Sequence, residues 1–282
     1  NDESIPYTCL KVTGIARHAL LEKVNYADEL TPDEANEFAK VKTRLESICS
    51  AAEQKNVPLY IDAEESWIQD AIDILTEEMM WKHNAKQAIV NTTLQMYRHD
   101  RLAYLHALIG EARNKKRFLG IKLVRGAYLE KENKRAHAQG YATPIQPDKQ
   151  STDRDFNLAV DRCLEDLDIV VLCAGTHNEE STAHLINKMK ELGIRNNDPR
   201  VYSSQLFGMS DHISFNLADA GYNVTKYLPY GPINTVLPYL IRRAEENSGI
   251  AGQMQRELRL LLEENNRRQE TRLLTSPVSS TH

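Results

Sequence analysis

Two adjacent arginines, Arg242 and Arg243, are followed one turn later by Glu246 in the run Leu237-Pro238-Tyr239-Leu240-Ile241-Arg242-Arg243-Ala244-Glu245-Glu246-Asn247. Each guanidinium offers paired N–H donors in a fixed plane, so two of them at the start of a helix can form a fork around a ligand carboxylate. The i,i+4 spacing lets Glu246 hold Arg242 in place. The same run also reads as a solvated helix with surface ion pairs, and the rest of the chain has to decide between the two. A second candidate is Lys122-Leu123-Val124-Arg125-Gly126-Ala127-Tyr128. Here Gly126 either permits close backbone approach to a flat or phosphorylated ligand or merely turns the chain. Lys122 and Arg125 put positive charge where an electron-rich ring or a pyrophosphate could sit. Gly175-Thr176-His177-Asn178 is rich in donors and reads as a ligand loop or as a satisfied turn. Lys11 and Asp62 could form a polar wall that orients a small charged substrate, or pair for structural reasons alone, because a buried lysine needs a partner.

Short β-branched runs alternate with longer amphipathic stretches. Strands are expected at Thr8–Gly14, Pro58–Asp62, Gln87–Thr93, Gly120–Val124, Ile169–Ala174, Arg200–Gln205 and Asn223–Leu228. Helices are expected over Thr31–Lys55, where Thr31 can cap and Pro32 suits the first helical position, and from about Glu65 to His83, Arg98 to Lys116, Asp153 to Leu167, Glu179 to Leu192 and Ile233 to Asn247. Such alternation implies an α/β fold in which helices cover a parallel sheet. With 282 residues, 41% of them apolar, the chain has the length of a single (βα)8 TIM barrel. Seven strands show where a closed barrel has eight, so the first is expected to lie ahead of Thr8. Each expected strand carries a polar or charged group at or near its C-terminal end: Lys11, Asp62, Gln95, Lys122 with Arg125, Thr176 to Asn178, Gln205 and Tyr227. In a TIM barrel those ends open into one mouth, where the chemistry of the fold resides.

Composition and missing motifs narrow the choice. A net charge of −5, with lysine and arginine spread along the chain, gives no reason to expect nucleic acid as a partner. Four cysteines far apart, without Cys-x-x-Cys, argue against a disulfide framework and suit a reducing compartment. No metal site is expected, since His-Glu-x-x-His is absent and the nine histidines are not paired with carboxylates at ligand spacing. There is no GxGxxG or Walker loop and no Gly-x-Ser-x-Gly elbow. No apolar run is long enough to span a membrane. The chain starts at Asn1 with no signal peptide and is expected to be a processed or truncated form. One domain is expected over residues 1–274, with a C-terminal helix and a small, polar, disordered tail over 275–282.

Together these residues resemble the proline dehydrogenase family, FAD-dependent (βα)8-barrel enzymes, and its mitochondrial-type branch in particular. The resemblance is carried by Lys11-Val12-Thr13-Gly14-Ile15-Ala16-Arg17, Ile61-Asp62-Ala63-Glu64-Glu65, Leu123-Val124-Arg125-Gly126-Ala127-Tyr128, Gly175-Thr176-His177-Asn178, Gln205-Leu206-Phe207-Gly208-Met209, Tyr227-Leu228-Pro229-Tyr230-Gly231 and Arg242-Arg243-x-x-Glu246-Asn247. It implies that Arg242 and Arg243 hold the substrate carboxylate, steadied by Glu246, and that Lys11 and Asp62 form the polar pair near the substrate. Leu206 and Tyr227 would pack on the pyrrolidine ring, Tyr227 crowding an added hydroxyl and so favouring plain L-proline. Gln95 and Lys122 would lie beside the isoalloxazine, although a lysine cannot reproduce the arginine fork that other members carry there. Val124, Arg125, Gly126, Ala127 and Tyr128 would cradle the cofactor, with Thr176, His177, Asn178 and Gln205 as a second contacting stretch.

The implied reaction is hydride transfer from L-proline to FAD, giving Δ1-pyrroline-5-carboxylate, with a quinone as the eventual acceptor. That chemistry fits a bacterial cytoplasm, peripheral to the inner membrane, or the matrix side of the mitochondrial inner membrane. The helix-patterned stretch Met254–Arg268 is a weak candidate for the membrane contact, against a helix packed on the barrel rim or a solvated tail. Two rival readings remain: a lyase or aldolase with Lys11 or Lys122 as a Schiff base, which needs a desolvated lysine of depressed pKa, and a barrel that binds a ligand without catalysis.

Overall fold

The longest helix begins where local chemistry tells it to. In the computed structural model, which describes residues 5–234, 236, 237, 241, 262, 263 and 265–268, α2 spans Pro32–Lys55. Thr31 caps it: the Glu34 N–H donates to Thr31 Oγ1 at 3.3 Å, while the Thr31 N–H donates to Glu34 Oε2 at 3.0 Å. Asn56, left-handed at φ 52°, ends it. Val41, Leu45, Cys49 and Ala52 recur along one face and are the buried ones, the 3.6-residue period of an amphipathic helix.

Seven strands follow one another: β1 Thr8–Leu10, β2 Leu59–Ile61, β3 Val90–Gln95, β4 Leu119–Val124, β5 Val170–Gly175, β6 Val201–Leu206 and β7 Val224–Tyr227. They form one parallel sheet in chain order, and among the described residues no strand precedes β1. The other helices are α1 His18–Asn25, α3 Ser66–His83, α4 Arg101–Lys115, α5 Leu129–Gln139, α6 Lys149–Glu165, α7 Glu179–Glu191 and α8 Asp211–Asp219. Parallel neighbours require such crossovers. Residues 1–227 form one compact unit and residues 228–282 a second. Of the helix expected over 233–247, residues 233, 234, 236, 237 and 241 are described, and all are helical. Arg242, Arg243, Glu246, most of 254–268 and the expected boundary near 274 lie outside the described residues.

The sheet curls. Tyr7, just ahead of β1, hydrogen-bonds through its hydroxyl to Thr225 of β7 and, at 3.3 Å, to Cys173 of β5. Curling buries the strands on both faces, so β3 is buried at every position and β4 at all but its last. The core runs from the sheet into the facing sides of the surrounding helices, with Leu94, Ile121, Leu123, Phe156 and Leu172 fully enclosed.

Two corrections concern this frame. The expected strand Thr8–Gly14 stops at Leu10, because Val12–Gly14 turn into a 3-10 segment held by Gly14 N–H to Lys11 carbonyl at 2.9 Å. The strand expected at Gln87–Thr93 starts later and runs through Gln95, which brings Gln95 inside the sheet at its C-terminal end.

Packing in the sheet is tight enough to dictate residue size. A Cβ on Gly120 would lie 1.9 Å from Asn91 Oδ1, an oxygen that is buried without a hydrogen-bond partner. Gly120→Ala is expected to cost about 1–3 kcal/mol by overpacking. Asn91→Ala removes the two nearest clashing atoms but keeps the Asn91 Cβ, 2.7 Å from the added methyl, so it should recover only part of the loss. Urea unfolding of the two single variants and the double variant checks this coupling.

Candidate active site

Asp62 follows β2 directly and is buried, and its N–H still donates to the Leu10 carbonyl at 2.8 Å, extending the β1–β2 ladder by one step. Ile61 pairs with Thr92, so Asp62 stands level with Thr93, whose partner on the next strand is Lys122. This register brings the two charges together: Asp62 Oδ1 accepts from Lys122 Nζ in a buried ion pair. The other carboxylate oxygen accepts from the Tyr227 hydroxyl at 3.3 Å, across from β7. The Lys122 ammonium lies 5.5 Å from the ring centre of Tyr60 and 5.6 Å from that of Tyr227, so two π-faces add to its stabilisation. Burial pulls the lysine pKa down, but Asp62 outweighs it and the ammonium titrates above its ordinary range.

Lys11 is therefore not the partner of Asp62, as the sequence suggests. Both Asp62 oxygens are taken by Lys122 and Tyr227, and Lys11 Nζ donates instead to the Tyr128 hydroxyl at 3.3 Å. Burial opposes its charge, yet Tyr128, Asp62 and Glu64 together raise its pKa. A further correction concerns Lys122, which sits inside β4, two residues before its end, rather than at the mouth.

Other candidates fall into two groups. Gln95 is buried, and its Nε2 donates to the Glu64 carbonyl at 2.7 Å while its Oε1 accepts from none of the described residues. Gly126 adopts φ 138° with its Cα facing the ring of Tyr97, 2.5 Å from where a Cβ would sit, so only glycine fits there. Gly126 and Ala127 are exposed, Val124, Tyr128 and Leu206 half-buried. The remainder are committed within the chain. Arg125 donates to Asp153 at 2.7 Å, Thr176 Oγ1 at 2.6 Å and Ser181 Oγ at 2.9 Å, over the ring of Phe156. Asn178 caps α7 through Ser181 N–H at 2.9 Å, and His177 Nδ1 lies 2.9 Å from Ser210 Oγ. Gln205 donates to Ser203 and the Thr176 carbonyl and accepts from Ser214.

The sequence reading gave no role to Glu64 or Tyr60. Glu64 accepts from Thr13 N–H at 3.0 Å and from the Thr13 hydroxyl, fixing the turn after Lys11. Tyr60 lies two residues before Asp62 and so shares its face of the strand, a period-2 signal available from the sequence.

The proline dehydrogenase family model matches residues 11–256. The chain belongs to the proline dehydrogenase family. It is 37% identical over 250 residues to proline dehydrogenase 1, mitochondrial, of Drosophila melanogaster, covering 85% of this chain and 37% of that protein. It is 39% identical over 232 residues to hydroxyproline dehydrogenase of Xenopus laevis, covering 80% of this chain and 49% of that one. The chain thus spans half or less of these curated relatives. The crystal structure of proline utilization A from Bdellovibrio bacteriovorus, inactivated by N-propargylglycine, superposes with a TM-score of 0.75 at 21% identity, over 85% of this chain and 24% of that one. That likeness establishes the α/β barrel fold for this sequence. Among the described residues no helix is long and apolar enough to cross a membrane, and no group of histidines, cysteines and carboxylates could hold a metal ion.

The buried pair makes a prediction about stability. Asp62→Asn leaves an ammonium without its carboxylate and is expected to cost about 3–5 kcal/mol, while Asp62→Asn/Lys122→Met should recover most of it. The lysine pKa is raised from 10.5, so its contribution is complete below that pH and is lost only as pH rises through the folded value. Urea unfolding should therefore show the same gap between wild type and Asp62→Asn/Lys122→Met, which leaves neither charge behind, at every pH from about 6 to 9.

Proposed function

We propose that this chain oxidises L-proline to Δ1-pyrroline-5-carboxylate with FAD as its cofactor. The observation that carries this reading is the buried Asp62–Lys122–Tyr227 constellation beside Lys11 and Tyr128 in a chain of the proline dehydrogenase family. The fit to a flavin rests on the polar groups available: a Gln95 Oε1 that accepts from no described residue, the fixed positive charge of Lys122, and the exposed backbone of Gly126 and Ala127. Val124, Arg125 and Tyr128, with Thr176, His177, Asn178 and Gln205, are the further residues assigned to it. Arg125 would have to share its donors with Asp153. Bound there, the flavin supplies the two-electron acceptor that the reaction requires.

The residues of the chain do the positioning. Arg242 and Arg243, steadied by Glu246, clamp the substrate carboxylate, Lys11 and Asp62 are the polar groups near the substrate, and Leu206 and Tyr227 pack on its ring. Proline loses a hydride from the ring carbon next to nitrogen and a proton from nitrogen to water, and the clamp fixes which carbon is presented. Lys122 stays cationic because Asp62 holds its charge, which leaves neither lysine suited to Schiff-base chemistry. The domain assigned to this activity is residues 1–274. A quinone as acceptor, peripheral membrane association, and a location on the matrix side of the mitochondrial inner membrane or in a bacterial cytoplasm belong to the same proposal.

One observation favours a second substrate for comparison, the similarity to a hydroxyproline dehydrogenase; the bulk of Tyr227 argues for proline. The test is a dye-coupled assay of the FAD-loaded protein with each amino acid. Proline should be the better substrate, and Tyr227→Ser should narrow the preference. Arg243→Ala is expected to raise the proline KM by more than about tenfold through the loss of a paired carboxylate contact. A protein that rejects FAD or does not oxidise proline would overturn the reading.

A further inference from the structure

Glu132 is a fully buried carboxylate, and no lysine, arginine or histidine among the described residues forms an ion pair with it. Burying an ion without a counter-ion is costly unless fixed dipoles replace its water. Both of its oxygens are engaged by one residue of another element: Oε1 accepts from the Ser66 N–H at 2.7 Å and Oε2 from the Ser66 hydroxyl at 2.6 Å. Ser66 is the first residue of α3, an 18-residue helix whose own N-cap, Glu65, makes no side-chain cap bond. Glu132 thus caps α3 from α5, with its charge at the positive end of the α3 dipole.

The position of this cap relative to the site gives it a consequence. Ser66 lies four residues after Asp62, where the loop that leaves β2 enters α3. On the other side, the Glu132 N–H donates to the Tyr128 carbonyl at 2.8 Å, and the Tyr128 hydroxyl receives the Lys11 ammonium. The side chain of Glu132 therefore ties the start of α3, and with it the loop from Asp62, to α5, while its backbone N–H closes the first turn of α5 onto the Tyr128 carbonyl. The other ties of α5 are of a different kind. Lys131 pairs with Glu65 and Arg135 with Glu22, both cations packing near the Trp67 ring; Lys131 is more than half exposed against a buried Glu65, so solvent screens that pair from the lysine side.

We infer that Glu132 is a positioning residue for the substrate pocket: by capping α3 from α5 it sets Tyr128, and through it Lys11, against Asp62. This rests on the functional reading above. The test compares Glu132→Ala, Glu132→Gln, Ser66→Ala and, as a control on the same helix, Lys131→Ala. Proline KM and kcat are measured separately, and amide hydrogen exchange is followed over residues 128–139. Glu132→Ala should raise the proline KM about tenfold or more with kcat within about threefold, because binding geometry rather than the reacting centre is disturbed. Glutamine, whose carbonyl still accepts from the Ser66 N–H, should restore the KM to within about threefold. Lys131→Ala should leave both constants unchanged. Exchange over 128–139 should quicken in Glu132→Ala and not in Lys131→Ala.

An unchanged KM in Glu132→Ala, a kcat that falls in step with KM, or a glutamine variant no better than alanine would overturn the role. If Glu132→Ala does not fold, Ser66→Ala decides, since it removes one of the two bonds and keeps the other; it should shift KM and exchange in the same direction by a smaller factor, and no shift in either overturns the inference. Wild-type protein that does not oxidise proline would remove the functional reading and leave the exchange comparison to judge the clamp on its own.

Discussion

Everything at the mouth of this barrel is arranged around one desolvated ion pair, Asp62 with Lys122. A carboxylate and an ammonium taken from water each carry a penalty of several kcal/mol, and only close mutual contact with further hydrogen bonds repays it. The chain supplies those contacts from three strands: the acid beyond β2, the base within β4, and the Tyr227 hydroxyl from β7. Once the pair is satisfied, Lys11 is left to seek another partner and finds the phenol of Tyr128. The two lysines thereby become fixed positive charges of different exposure rather than a pair of interchangeable bases.

Fixed charge at the C-terminal end of a parallel sheet suits binding and oxidation of a small zwitterion better than covalent chemistry on lysine. Both ammonium groups are held above their ordinary pKa, the opposite of what a nucleophilic amine needs. Around them the backbone is locked by further side-chain bonds. Gln95 holds the Glu64 carbonyl, Glu64 holds the turn after Lys11, and Glu132 holds the start of α3. Such supporting bonds keep a constellation within the small tolerances that orientation effects demand.

Much of the frame could be told from residue patterns. The α2 helix announces itself by Thr31, Pro32 and Glu34 at cap positions, and all seven strands by β-branched runs between amphipathic stretches. Helices α1, α5 and α8 escaped because each is short and all three start without a side-chain cap bond: α1 after Arg17, α5 after Tyr128, and α8 after Ser210 in the left-handed region. The extent of β1 was overstated because Val12 and Thr13 look like strand residues, whereas Glu64, fifty-one positions away, draws Thr13 into a turn. Several donors expected to face a ligand, Arg125, Asn178 and Gln205 among them, turn out to be held by neighbouring strands and helices.

Residue types and their order along the chain were enough to give the parallel α/β barrel and membership of the proline dehydrogenase family, and to single out Lys11, Asp62, Lys122 and Tyr227 as candidates. They could not say which acid meets which base. Lys11 and Lys122 are alike as letters, and Asp62 follows strands adjacent to the first and one removed from the second. The register of three parallel strands and the shortage of water around them settled the matter, since a buried charge pairs with whatever the curl of the sheet brings within reach, regardless of its distance along the chain.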